Sequence, residues 1–427
     1  MIKIFVLFFS ILMVIFWGLL TKKYTGRILR INILFSLLWI FVMYCSIFNN
    51  IGLVIPRDEI FINIFVAIFL FNIIYIIMYK NNNKDKISIN YSKYNINNKK
   101  IIVLNIIAYI LIIPFLIEAI NIILTTGFNF GVIRDTIFVR ISNSDNFFMQ
   151  NSRVIINVVF SLTQLIATYY LVIFKYKKSK NEKKIIVLGI LDVILSTIVF
   201  GGRGALFNFI LFYLFNYLCN RNKKIKIKKR YIFLIIAILV FVTQNRTSNS
   251  IPFVQSFILY FAGSLSFLEV ILRNPFYFGL DQKHYGAMTL GFIIEPIILF
   301  IKILGINIRI PSYYFNIYAQ NFINIGENSI YQYNNNTTMF YPFALDFGLN
   351  GMFIGVIIYS LIISYVNRRK NSGNLRFYFI YILLCAGVMN SSMDYDLIGY
   401  SKFILFLTIL FVVKKKKKEQ LDGNEES

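Results

Sequence analysis

The residues with the most specific chemistry form the stretch Phe200-Gly201-Gly202-Arg203-Gly204-Ala205, in which one arginine and three glycines separate two apolar runs. Basic residues border each run on its far side. Since basic loops stay on the cytoplasmic side of a membrane, the runs form a hairpin with Arg203 at its outer tip. Arg203 also precedes the second helix, whose unpaired N–H groups and positive dipole end favour an anion. Gly202 and Gly204 let the backbone approach a ligand closely. We therefore predict an anion site open to the outside; an arginine that merely extends to the membrane surface is the alternative.

Other arginines are predicted on the same side of the membrane. Arg246 follows the next apolar run, and two arginines at outward helix ends can bind a phosphate through paired N–H bonds, so Arg203 and Arg246 are candidate catalytic residues. Arg134 and Arg140 lie in the outer loop that precedes the hairpin and are candidates for substrate binding. Asp192 lies inside the first hairpin helix, where a buried acid indicates either an ion pair with a basic side chain or a proton path.

A long polar segment, residues 305–341, is rich in Tyr and Asn and predicts a large extracytoplasmic loop. Tyrosine rings suit stacking on the face of a sugar, and amides and hydroxyls suit its edges. Tyrosine at a membrane surface is equally an ordinary interfacial anchor. The candidate substrate-binding residues of this segment are Tyr318, Glu327, Asn336, Thr338 and Tyr341.

Asp346 follows this segment, in the first turns of a long span predicted over residues 339–366. A carboxylate there is stabilised by the helix N-terminus, and the alternative is a catalytic base or an arginine partner at a reaction site. His284 is the only histidine of the chain and lies in the connection 273–286. The charge balance of that connection predicts that His284 is inside, away from any chemistry on the outer face.

Membrane-spanning helices must position these residues. The chain is 58% hydrophobic with a mean hydropathy of +0.67, which predicts an all-α polytopic membrane protein with about 12–14 transmembrane helices. We expect a single membrane domain over residues 1–427, with a cytoplasmic tail at 414–427. The net charge of +25 is concentrated in alternate short loops, which indicates membrane orientation rather than nucleic-acid binding. Three cysteines and one histidine make a disulfide framework or a His-rich metal site unexpected, and we predict neither metal nor cofactor.

Two short motifs resemble a known family. At Gly201-Gly202-Arg203-Gly204 before an apolar helix, and at Asn336-Thr337-Thr338 leading into Asp346-Phe347-Gly348-Leu349-Asn350-Gly351, the chain resembles the bacterial O-antigen and capsule polymerases of the Wzy type. These are also called oligosaccharide repeat unit polymerases. The resemblance covers roughly residues 190–365. It implies a fold related to other lipid-linked sugar polymerases and ligases, in the bacterial cytoplasmic (inner) membrane.

The resemblance also implies an activity, the joining of oligosaccharide repeat units carried on undecaprenyl pyrophosphate at the outer face of that membrane. Arg203 and Arg246 would stabilise the leaving pyrophosphate. Asp346 or Glu327 would orient or deprotonate the attacking hydroxyl. The implied partners are undecaprenyl-pyrophosphate-linked oligosaccharide, membrane lipid, a chain-length regulator and a flippase, without nucleic acid.

Two alternatives remain open at this stage. A lipid-linked oligosaccharide ligase is similar in architecture, but the resemblance implies a histidine in its large outer loop, and residues 305–341 contain none. That argument holds only if His284 lies inside. A flippase or transporter of lipid-linked sugars would predict paired broken helices in two related halves, whereas the sequence shows one central hairpin and one large loop.

Overall fold

A computed structural model describes residues 1–49, 51–80, 93–127, 130–143, 147–173, 179–202, 204–220, 253–306, 308–319, 323–327, 331–333 and 337–416. The helices of this part, in chain order, are α1 (Ile2–Thr25), α2 (Ile31–Ile47), α3 (Asp58–Lys80), α4 (Asn98–Thr126), α5 (Phe130–Asn143), α6 (Phe147–Ile173), α7 (Lys180–Phe200), α8 (Gly204–Cys219), α9 (Phe253–Arg273), α10 (Gly291–Ile303), α11 (Pro311–Ala319), α12 (Phe340–Phe347), α13 (Gly351–Asn371), α14 (Leu375–Asn390) and α15 (Tyr400–Val412). The strands are β1 (Tyr94–Ile96), β2 (Ile323–Asn324), β3 (Gln332–Tyr333) and β4 (Val413–Lys415). The strands form two antiparallel pairs, β1 with β4 and β2 with β3.

Several helices have the length and the apolar surface of membrane spans. Within the described ranges, α1, α3, α4, α6 and α13 are long and apolar enough to cross a membrane, and α2, α8, α14 and α15 are shorter apolar helices. On α1, Trp17 is buried, whereas Phe5, Phe8 and Leu19 are 55–63% exposed. So much exposed apolar surface is stable against lipid rather than water. The chain is therefore a predominantly helical, multi-pass membrane protein.

The chain divides into two compact units. Unit 1 consists of Met1–Ile89, Val254–Ser372 and Gly387–Phe403, and unit 2 of Asn90–Phe253, Gly373–Ala386 and Ile404–Ser427.

Polar side chains join the first three helices of unit 1 inside the apolar bundle. The amide of Asn32 donates to Thr21 Oγ1 and to Asn72 Oδ1, both at 2.9 Å. The amide of Asn72 donates to Ser36 Oγ at 2.7 Å. All four residues are fully buried, so these bonds connect α1, α2 and α3 where no water competes for them.

Unit 1 has two chemically different ends. Helix α3 begins after Arg57 and ends near Tyr79, whose ring lies 5.9 Å from Arg30 Cζ. Lys22 and Lys23 in the last turn of α1, and Arg27 and Arg30 in the loop before α2, make this end basic, so the charge pattern predicts that it faces the cytoplasm. We call the two ends the Arg30 end and the Arg57 end.

In unit 2, helices α4 to α7 share one apolar core. Close contact is possible because small residues face each other. A Cβ atom added at Gly189 on α7 would lie 2.6 Å from the Cβ of Ala167 on α6. Asn105 donates to Thr163 Oγ1 at 2.7 Å across α4 and α6. Small residues and interhelical amide bonds are the usual means of packing helices in lipid.

The structure corrects several boundaries predicted from the sequence. The span predicted over 339–366 is wrong, because α12 and α13 are separate helices. Gly348 at φ 71° ends α12, and a Cβ at Gly351 would lie 2.0 Å from the carbonyl oxygen of Phe343. The segment 305–341 contains helix α11 and the β2–β3 hairpin. Lys414 and Lys415, predicted to begin the tail, belong to β4.

Candidate functional site

The hairpin predicted around residue 203 is confirmed by the helices on either side. Helix α7 ends at Phe200, Gly201 follows with a left-handed φ of 56°, and α8 begins at Gly204. The left-handed backbone explains glycine at 201. Gly202 and Gly204 do not have positive φ, and an added Cβ would lie 3.6 Å from Phe200 O at Gly202 and meet nothing within 4 Å at Gly204. Among the described residues, neither conformation nor packing requires glycine at these two positions.

Arginines of neighbouring helices lie beside this turn. Ile133 and Phe200 belong to one buried cluster, which brings α5 to the end of α7 and places Arg134 near the turn. The Cζ atom of Arg153 on α6 lies 5.9 Å from the ring of Phe200, and Arg134 is within electrostatic reach of Arg153. Positive charges so arranged favour the binding of an anion.

Other residues predicted for this site fall outside the described part. Arg203 and Arg246, the two candidate catalytic arginines, lie there, and of Arg140 only the backbone, in α5, is described. The sequence analysis did not select Arg153. The signal that could have identified it is an arginine directly before the apolar run that starts at Val154.

Asp346 is fully buried in unit 1. Its Oδ1 accepts the backbone N–H of Met288 at 3.0 Å, and its Oδ2 accepts the backbone N–H and hydroxyl of Thr289 at 2.7 and 2.5 Å. The prediction that it lies in the first turns of a helix is wrong, because Asp346 is the second-last residue of α12. Its carboxylate is held by a neighbouring segment rather than by a helix N-terminus.

The described candidates for sugar binding differ in exposure and in their partners. Tyr341 is buried and its hydroxyl donates to Phe278 O at 2.9 Å. Thr338 is buried, and its Oγ1 has no hydrogen-bond partner among the described residues. Glu327 is exposed and accepts the N–H of Ile55 at 3.4 Å. Of the remaining two, Asn336 lies outside the described residues, and Tyr318 is described only by its backbone in α11.

His284 lies beside Tyr314 of segment 305–341, so the prediction that it is on the opposite side of the membrane from that segment is wrong. Its backbone N–H donates to Leu345 O at 3.1 Å, and its ring centroid is 5.1 Å from that of Tyr314 in α11. Burial lowers the pKa of His284, and the charge of Asp346 opposes this shift. Its Nε2 is buried without a hydrogen-bond partner in the described chain. The charge balance of residues 273–286 was too small to assign a side.

Comparison with known proteins gives this chain no relative. No protein-family model matches it, and neither the curated proteins nor the solved structures contain a match.

Proposed function

We propose that this chain is a glycosyltransferase that polymerises undecaprenyl-pyrophosphate-linked oligosaccharide repeat units into a surface polysaccharide, an O-antigen or a capsule. The proposed location is the outer face of the bacterial cytoplasmic membrane. The observation that carries the proposal is the turn between α7 and α8. There, Arg153 Cζ lies 5.9 Å from the ring of Phe200, and Arg134 is within electrostatic reach of Arg153. Arg203 stands in the sequence between two glycines without a conformational role.

The chemistry of the reaction fits this arrangement. A hydroxyl oxygen of one lipid-linked unit attacks the anomeric carbon of another chain, whose bond to the pyrophosphate oxygen breaks. The pyrophosphate leaves with the bonding electrons, and the hydroxyl proton passes to a base. Since negative charge grows on the leaving group, fixed guanidinium groups lower the barrier. Positions without side chains at 202 and 204 allow phosphate oxygens to approach the backbone N–H groups.

The position of His284 favours a second candidate, a lipid-linked oligosaccharide ligase. The sequence argument against a ligase required His284 to lie away from segment 305–341, and its contacts with Tyr314 and Leu345 remove that argument. A ligase would use the same leaving group but transfer the whole glycan to a different acceptor.

The test measures the length distribution of surface polysaccharide in cells with the gene intact, deleted, or replaced by Arg203→Ala. The matched control is Arg368→Ala, an exposed arginine at the Arg30 end of unit 1, where the preceding Asn367 donates to Tyr75 Oη at 3.1 Å. We expect deletion and Arg203→Ala to abolish long chains while single repeat units still reach the surface, and Arg368→Ala to have a normal distribution. Immunoblots of the membrane fraction show that each variant is present in equal amount.

One result would contradict the polymerase, and another would contradict its proposed site. Loss of every surface unit, with the lipid-linked precursor accumulating, would indicate a ligase or a flippase. Long chains in the Arg203→Ala strain at wild-type abundance would remove the turn between α7 and α8 from the reaction.

A further inference from the structure

A buried carboxylate at the Arg57 end of unit 1 holds two arginines together. Glu269 on α9 is fully buried, and its Oε1 contacts the Nε atoms of Arg57 at 3.0 Å and Arg273 at 2.6 Å. Its Oε2 accepts the backbone N–H of Arg57 at 3.1 Å. Both oxygens of the carboxylate are therefore used. The three side chains together carry one net positive charge.

The two guanidinium groups keep donors for a further ligand. Glu269 is contacted through the Nε atoms, and each guanidinium carries four more N–H groups on its terminal nitrogens. The side chains of Arg57 and Arg273 are 46% and 52% exposed. Two planar guanidinium groups fixed through their Nε edges are suited to an anion with several oxygens, and phosphate fits this donor arrangement best.

The surroundings of the pair indicate that this anion belongs to a lipid. Arg57 directly precedes α3, and Arg273 is the last residue of α9, so both lie at helix ends. Phe276 and Tyr277, three and four residues after Arg273, are 82% and 63% exposed. Exposed aromatic side chains beside arginines at helix ends are typical of the headgroup level of a membrane.

Acidic side chains near the pair do not neutralise it. Asp58 follows Arg57 but lies 4.0 Å from the ammonium group of Lys3. Glu59 is exposed in the first turn of α3. Among the described residues, the carboxylate of Glu269 is therefore the only acidic group in contact with the two arginines.

We propose that Arg57 and Arg273, fixed by Glu269, form a binding site for the phosphate group of a membrane lipid. Two lipids offer this chemistry, an anionic phospholipid and a polyprenyl pyrophosphate carrier. The site is separate in sequence from Arg134, Arg153 and Arg203, and it does not depend on the proposed reaction. Glu269 has a positioning role, because it orients both guanidinium groups without meeting the ligand.

The test uses the purified full-length protein in detergent and measures lipid retention by native mass spectrometry. The probes are undecaprenyl pyrophosphate, phosphatidylglycerol and, as a lipid without phosphate, undecaprenol. The double variant Arg57→Lys/Arg273→Lys keeps both charges next to Glu269 but loses the guanidinium forks. Arg368→Ala at the Arg30 end is the control. We expect the double variant to retain a phosphate lipid about tenfold less than wild type, which corresponds to about 1.4 kcal/mol.

The pattern of loss identifies the source of the phosphate. Weaker retention of undecaprenyl pyrophosphate alone assigns the site to the carrier, and weaker retention of both phosphate lipids assigns it to headgroups in general. The proposal is overturned if the double variant retains the phosphate lipids as well as wild type does. It is also overturned if the wild-type protein retains undecaprenol as well as it retains the phosphate lipids. Should the double variant not fold, displacement of lipid from the wild-type protein by inorganic pyrophosphate gives the answer, and no displacement refutes the site.

Discussion

Buried acids are bonded differently in the two units. In unit 1, Glu269, Glu295 and Asp346 are fully buried, and both oxygens of each carboxylate accept hydrogen bonds from the described chain. In unit 2, Asp192 is equally buried, yet only its Oδ1 has a partner, the hydroxyl of Tyr109 at 2.7 Å. Its Oδ2 has none among the described residues. The ion pair that the sequence offered for Asp192 is not present there.

The difference separates two uses of a buried carboxylate. Glu295 accepts the backbone N–H groups of Ser312 and Tyr400, at the beginnings of α11 and α15. Asp346 accepts those of Met288 and Thr289. In unit 1 these acids therefore accept backbone N–H groups at helix beginnings and in the segment before α10, groups that would be costly to leave unpaired inside a membrane protein. Asp192 fixes no backbone, and an intramembrane acid without such a role is a functional candidate.

The largest predicted effect is that of Asp346→Asn. The amide can replace only one of the two acceptor oxygens, and its NH2 group would face a backbone N–H of Met288 or Thr289. A buried donor left unpaired costs about 1–3 kcal/mol, and the opposed dipoles add to this, so we expect the free energy of unfolding to fall by about 3 kcal/mol. Titration with SDS in mixed micelles measures it. Asp281→Asn, at an exposed position, is the control.

A stable but inactive Asp346→Asn protein would contradict the structural role that distinguishes the buried acids of unit 1 from Asp192. It would restore Asp346 to the catalytic role predicted from the sequence and show that its three hydrogen bonds contribute little to the fold.

A change of pH is expected to have an intermediate effect on stability, through the protonation of His284. Burial lowers the pKa of His284 in the folded protein, with the charge of Asp346 opposing the shift. The unfolded chain therefore binds a proton more readily, so stability falls as pH falls through the ordinary histidine range, about 6.5, towards the folded pKa. In His284→Gln we expect a flatter dependence of the melting temperature between about pH 7.5 and 5.5. An unchanged slope would mean that another group produces it.

Local signals in the sequence were enough for part of this structure. The turn at Gly201 to Gly204 was predicted because glycines and a charge interrupt two apolar runs, and both helix ends agree with the prediction. Arg273 lies four residues after Glu269, a spacing that brings side chains together on one helix face and could have been recognised.

Contacts between distant segments were not predictable in this way. Glu269 also binds Arg57, 212 residues earlier in the chain, and Asp346 binds Thr289 across 57 residues. Hydropathy and charge patterns along the sequence give no information about which distant residues pair. For the same reason the side assigned to His284 was wrong, since its position depends on Tyr314 and Leu345 rather than on nearby lysines.

The smallest change in stability is predicted for Asp192→Asn. Asparagine keeps the oxygen that accepts from Tyr109, so no hydrogen bond of the described chain is lost, and the cost of its buried NH2 group is offset by the removal of a carboxyl group whose Oδ2 is itself unpartnered in the described chain. We expect the free energy of unfolding to change by less than about 1 kcal/mol or to rise. Tyr109→Phe is the matched control, because it removes the one observed bond and leaves the acid. A loss near the 3 kcal/mol expected for a broken buried pair would instead mean that Asp192 has a cationic partner. The acids of the two units would then be bonded alike, and the functional argument for Asp192 would have to come from activity rather than from its missing donor.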